Sequence, residues 1–167
     1  MFPTNQIEKL KNIPISRVAG GQHHSVFLTS KGDRIYSCGI TLAGQTGLQD
    51  DVLSAAGQQG GNAVYEPTPV AFPNWTSDRI GEIGRFTDIS CGENHSFVIT
   101  STGQLYSWGF GEYGQAGNDP NYTVEDVKYP RLNETWLGGN THVVSLGAAG
   151  GAQHSLVVAK RYKKLKN

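Results

Sequence analysis

Gly21-Gln22-His23-His24-Ser25-Val26-Phe27-Leu28 is the stretch on which the fold turns, because the chain writes it three times. The second copy is Gly92-Glu93-Asn94-His95-Ser96-Phe97-Val98-Ile99, and the third is Gly151-Ala152-Gln153-His154-Ser155-Leu156-Val157-Val158. Each is Gly-x-x-His-Ser followed by three apolar residues, and each is preceded by small residues: Ala19-Gly20, Ser90-Cys91 and Ala149-Gly150. Self-similarity at a spacing of this order is the signature of a repeat architecture, in which each unit buries its apolar faces only against its neighbours.

The agreement runs on past the motif. Gly32-Asp33-Arg34-Ile35-Tyr36-Ser37-Cys38-Gly39 matches Gly103-Gln104-Leu105-Tyr106-Ser107-Trp108-Gly109, with one extra residue in the first copy. Gly44-Gln45-Thr46-Gly47 then matches Gly114-Gln115-Ala116-Gly117. Ser25 to Thr29 and Arg34 to Cys38 read as two strands joined by a turn at Lys31-Gly32-Asp33. Ser96 to Thr100 and Gln104 to Trp108 repeat that hairpin, and Thr87 to Ser90 and Val143 to Leu146 read as strands leading into the second and third motifs. The glycine groups after each hairpin are tight turns, where a positive φ is cheap. Gln49 to Gly61 reads as a flexible loop, Pro67-Thr68-Pro69 as the start of an edge-like segment, and Asn118 to Pro130 as a second polar loop.

Composition supports an all-β reading. Glycine numbers 22 of 167 residues, about twice the usual share, and only 17% of residues are charged. A helical bundle and charge-driven disorder are both disfavoured, and no apolar run is long enough for a membrane helix. The N-terminus carries neither the basic nor the apolar region of a secretory signal. The net charge is zero, from 14 basic and 14 acidic groups, but it is unevenly spread. Lys160, Arg161, Lys163, Lys164 and Lys166 form a basic tail on a mildly acidic body, a pattern that suits nucleic acid or a nuclear address, or else a solvated terminus. Cys38 and Cys91 make no Cys-x-x-Cys pair, so they read as small buried thiols in a reducing compartment. The sequons at Asn74, Asn121 and Asn133 carry little weight without a signal segment.

Three copies of the motif, with their Tyr-Ser-x-Gly and Gly-Gln-x-Gly followers, closely resemble the repeat of the regulator of chromosome condensation family. The resemblance implies a seven-bladed β-propeller, of which residues 1–159 supply two blades and the start of a third, with 160–167 as the basic tail. It further implies the C-terminal part of a guanine nucleotide exchange factor for the small GTPase Ran, nuclear and chromatin-associated through core histones and DNA. The alternative is a propeller scaffold without exchange activity. By the same resemblance, His24 and His154 belong to the face that docks the GTPase. The family's acidic partners and inserted wedge come from blades this chain lacks.

Gly21, Gly92, Gly151 and His95 read as structural. A histidine that recurs in one slot holds the repeat together, here by bonding to backbone near its own turn. Two blades and a piece leave sheet faces and edges open, so the remaining blades or a self-associating copy are expected partners. No membrane partner, cofactor or metal is expected. Gly109-Phe110-Gly111-Glu112-Tyr113-Gly114 fits a dinucleotide-binding pattern, but the residues after it cannot sustain the helix that a pyrophosphate needs. His23 and His24, as neighbours on a strand, point to opposite faces and make a poor metal pair. Tyr36, Tyr106 and Trp108 read as core, and Trp75 and Trp136 as exposed. There is no Gly-x-Ser-x-Gly elbow, and exchange needs no activated nucleophile.

Overall fold

The computed structural model describes residues 7–55, 62–73, 83–117, 125–133 and 141–163. Within them the strands are β1 (Ile15–Gly20), β2 (His24–Thr29), β3 (Ile35–Ile40), β4 (Ala63–Pro69), β5 (Phe86–Cys91), β6 (His95–Thr100), β7 (Leu105–Gly109), β8 (Val127–Leu132), β9 (Thr141–Gly150) and β10 (Ser155–Lys163). Two four-stranded antiparallel meanders, β1-β2-β3-β4 and β5-β6-β7-β8, precede a β9-β10 pair. The result is an all-β, partial propeller: two complete blades and the first two strands of a third. No helix among the described residues is long and apolar enough to cross a membrane.

The hairpins close by local chemistry that the two complete blades share. In the first, Thr29 Oγ1 donates to Asp33 Oδ1 at 2.7 Å and accepts from the Arg34 N–H at 3.2 Å. In the second, Thr100 Oγ1 accepts from the Gln104 N–H at 3.1 Å. After each hairpin, the glutamine of Gly-Gln-x-Gly folds back on its own turn. Gln45 Oε1 accepts from the Ala43 N–H, and Gln115 Oε1 from the Tyr113 N–H, both at 2.9 Å. The strand serines brace the same turns, Ser37 Oγ donating to the Thr46 carbonyl and Ser107 Oγ to that of Ala116, each at 2.6 Å. Gly39 and Gly109 end their strands at φ 115° and 107°. A Cβ there would also collide with the carbonyl of His23 or Asn94, so only glycine fits.

Alternation along each second strand gives it two working faces. Val26 and Leu28 point forward and pack, with Ile35, against Ile89, Val98, Tyr106 and Trp108 of the next blade. Phe97, Ile99 and Leu105 of that blade point forward in turn and pack on Val157 of the third. Tyr36, Tyr106 and Trp108 are core residues, as their repeat positions suggest.

The structure departs from the sequence reading in three places. Asp50–Ala55 is a short helix, α1, inside the segment read as a flexible loop. Ser54 Oγ bonds the Asp50 carbonyl, and Leu53 leans on the core. The polar loop expected up to Pro130 gives way to strand β8 at Val127, and Pro67 and Pro69 lie within β4. Both are the outermost strands of their sheets, where a proline forfeits no ladder bond on its open side. Finally, β10 continues past Ala159, pairing Lys160 with Val144 and Lys163 with Thr141, so the basic segment begins as strand. A backbone partner in β9, and not side-chain polarity, decides where that strand stops. Trp75, Trp136, Asn74 and Asn121 lie outside the described residues. Asn133 is buried.

Candidate interaction site at the blade joins

The repeated histidines sit at the joins between blades. His24 starts β2 and is 4% exposed, and His95 starts β6 and is fully buried. Each ring folds over the glycine three residues before it. A Cβ at Gly21 would strike the His24 ring and crowd the Gly92 carbonyl at 2.7 Å, and one at Gly92 would strike the His95 ring. At Gly151 it would meet His154. These glycines therefore make room for an imidazole and for the backbone of the next blade.

The bond expected from each histidine to nearby backbone is not what forms. His24 Nε2 meets Ser96 Oγ at 2.8 Å, and His95 Nε2 meets Ser155 Oγ at 3.0 Å. Each partner is the serine of the following blade. That serine spends its single proton on a carbonyl of the blade before: Ser96 Oγ donates to Gln45 O at 3.0 Å, and Ser155 Oγ to Gln115 O at 2.6 Å. The serine must then accept from the ring, which fixes the Nε2–H tautomer in both histidines. Trp108 Nε1–H also donates to Gln45 O, at 3.0 Å, adding a second donor to that carbonyl.

Nδ1 of His24 and of His95 is buried with no partner. A second ring proton would have nowhere to go. Accordingly, burial first, and then the neighbouring ring (His95 for His24, His154 for His95), pushes both imidazoles down to about 4. Backbone bonds reinforce the joins, from Gln22 N–H to Glu93 O at 2.9 Å and from Glu93 N–H to Gly151 O at 3.1 Å. Burial pushes the Cys91 thiol up to about 12, which makes it a poor nucleophile, and Cys38 is raised in the same way.

His24 is thus enclosed in a join and offers no surface to a partner, which corrects the docking role expected of it. The exposed imidazole of the pair is His23. His154 is exposed. Gln22, Glu93 and Gln153 are exposed beside their buried or end-of-chain histidines, at motif positions where the three copies differ. Leu42, 69% exposed, and Tyr113, 62% exposed, project from the turns after β3 and β7. These turns adjoin the motif loops, since Ile40 N–H donates to His23 O and Phe110 N–H to Asn94 O, both at 2.8 Å. One rim of the propeller therefore carries variable polar residues and two exposed apolar ones. The sequence reading missed Leu42 and Tyr113. Their signal is an apolar residue in a turn whose glycines and glutamine already satisfy the local backbone. The Gly109–Gly114 run forms turns with no helix. Among the described residues, no cluster of three metal-ligating side chains occurs.

Two family models match the chain, both described as the regulator of chromosome condensation (RCC1) repeat, over residues 86–115 and 102–158. The chain is an RCC1-repeat protein. The first blade repeats the motif of the matched residues, Gly21 to Gly47 aligning with Gly92 to Gly117 with one extra residue. Guanine nucleotide exchange factor SRM1 of Saccharomyces cerevisiae is 28% identical over 141 residues, 83% of this chain and 27% of that protein. Serine/threonine-protein kinase Nek9 of Mus musculus is 33% identical over 128 residues, 75% of this chain and 11% of the kinase. The crystal structure of Prp20p from Saccharomyces cerevisiae, reported with its binding to Gsp1p and histones, superposes with a TM-score of 0.70 at 25% identity. That match covers 94% of this RCC1 chain and 33% of Prp20p. The chain spans about a third or less of each of these proteins.

Proposed function

We propose that this chain forms part of the GTPase-docking propeller of a Ran-type guanine nucleotide exchange factor acting at chromatin in the nucleus. The observation that carries the reading is the superposition on Prp20p across 94% of the chain, together with the binding of Gsp1p and histones reported for that protein. Docking would use the exposed rim: His23 in place of the buried His24, with His154, Gln22, Glu93, Leu42 and Tyr113. Rigidity suits the task, because the loops that present these residues are stapled to paired strands. Exchange needs no bond-making group. A factor that binds the nucleotide-free GTPase more tightly than the loaded one shifts the equilibrium toward release.

The test is release of a fluorescent guanine nucleotide from Ran in the presence of the chain, with His23→Ala, Tyr113→Ala and His154→Ala alongside. Accelerated release that is reduced in these variants supports the reading, and release at the spontaneous rate both for the chain alone and with upstream blades added overturns it. A second reading, a propeller interaction module without exchange activity, draws on the similarity to Nek9, a kinase that shares the repeat. Binding of Ran with no acceleration, restored on adding upstream blades, would mark an incomplete exchange factor. Silence in both settings would favour the interaction module.

A further inference from the structure

The turn after β7 carries more than a turn needs. Tyr113 N–H donates to Gln115 Oε1 just as Ala43 N–H donates to Gln45 Oε1 in the first blade, so a methyl side chain suffices at that position. Tyr113 nevertheless presents a phenol, 62% exposed, whose ring meets the half-buried Phe110 edge to face with centroids 6.0 Å apart. The first blade has Ile40 and Leu42 where this one has Phe110 and Glu112, so neither the aromatic pair nor the charge belongs to the repeat. Carboxylates gather beside the pair. Glu112 is exposed on the turn itself. Glu125, also exposed, is held against the turn, because Gly111 N–H donates to Asp126 Oδ1 at 3.1 Å and a Cβ at Gly111 would collide with the Glu125 carbonyl. Glu93 is exposed on the adjoining loop, where Phe110 N–H donates to Asn94 O at 2.8 Å. None of the three glutamates forms an ion pair with a described residue. The basic residue of that stretch, Lys128, has its backbone against Gly44 of the first blade.

We propose that Tyr113 and Phe110, with Glu93, Glu112 and Glu125 around them, grip an arginine side chain on a protein partner. The inference rests on the reading of this rim as a docking surface, and names the chemistry of what docks there. A guanidinium stacks on the face of a phenol and is attracted by the ring quadrupole, while its N–H groups reach carboxylates at the ring edge. Lysine would bring the charge without the planar stacking. The unpaired carboxylates supply the complementary charge that favours such a partner, speeds its approach and repels an acidic one.

NMR titration of the isotope-labelled full chain tests this, with a blocked glycine-arginine-glycine peptide as probe. The control is the same peptide with citrulline, which keeps the shape and loses the charge. The arginine peptide should give saturable shifts at the amides of residues 111–114 and 125–126, and the citrulline peptide should give none. Tyr113→Ala, which installs the residue type that the first blade carries in its own turn, should leave the fold intact and weaken binding roughly two- to fivefold. Glu112→Gln together with Glu125→Gln should also weaken it, and added salt should weaken the wild type. Four results would each overturn the proposal: no saturable shift, equal shifts with citrulline, shifts spread over distant carboxylates such as Glu8 and Glu66, or undiminished binding in Tyr113→Ala. The peptide contains no GTPase, so this inference and the exchange reading fail independently.

Discussion

Val26 and Leu28 on the first blade and Leu156 and Val158 on the third occupy the same positions of the same motif, yet the first pair is buried and the second largely exposed. Nothing in the residues themselves accounts for the difference. What differs is the following blade, which is among the described residues in one case and not in the other. His24 and His154 form the same contrast, one ring enclosed between blades and bonded to a serine, the other at an open end. In a repeat array, then, burial belongs to the join, and a residue's energetic weight depends on its place in the stack.

The largest expected effect comes from removing the side chain that both packs and bonds across a join. Trp108→Ala empties the space under Phe72, at 5.7 Å between ring centroids, and leaves Gln45 O without its indole donor. Urea unfolding should show a loss of about 3–5 kcal/mol. Leu156→Ala, in the second-strand motif of the third blade and 65% exposed, should fall within about 0.5 kcal/mol of wild type. Equal losses would break the comparison.

The histidines sharpen it. His95→Ala removes the donor that the Ser155 hydroxyl accepts from and opens the join, with an expected cost of about 1–3 kcal/mol, while His154→Ala should cost little. The pH dependence follows from the same geometry. Both buried rings have folded-state values lowered to about 4 from the ordinary 6.5, so the unfolded chain binds more protons between those limits. Stability contributed by the neutral rings is fully present above pH 6.5 and is lost as pH falls toward 4. Unfolding midpoints measured across that window should drop with acid, and His24→Gln together with His95→Gln should flatten the slope. A slope unchanged in the double variant would show that these rings do not carry it.

The smallest effect is expected at the exposed ion pair that also bridges the first two blades. Arg17 Nε lies 3.5 Å from Asp88 Oδ1, and both side chains are well solvated. Arg17→Ala should cost less than about 1 kcal/mol, and salt should erase the difference.

The strands around each histidine were legible because alternation and turn glycines are local, and the chain states them more than once. Trp108 and Tyr106 were legible as core for the same reason. Strand β4 was legible as edge-like at Pro67 and Pro69, though its start at Ala63 was not, and β8 was obscured by Pro130, a residue that forbids a central strand but not an outermost one. The continuation of β10 through Lys163 was hidden by its basic residues. The role of His24 was the instructive miss. Its slot in the motif is plain in the sequence, but its serine lies 72 positions away, across a join that exists only once two blades stack. The exposed neighbour, His23, lies just before β2, in the loop.

The bond from histidine to serine to glutamine carbonyl is assembled entirely from residues that every complete unit carries. Duplicating or deleting one whole unit would therefore leave every remaining seam matched, with no compensating change elsewhere.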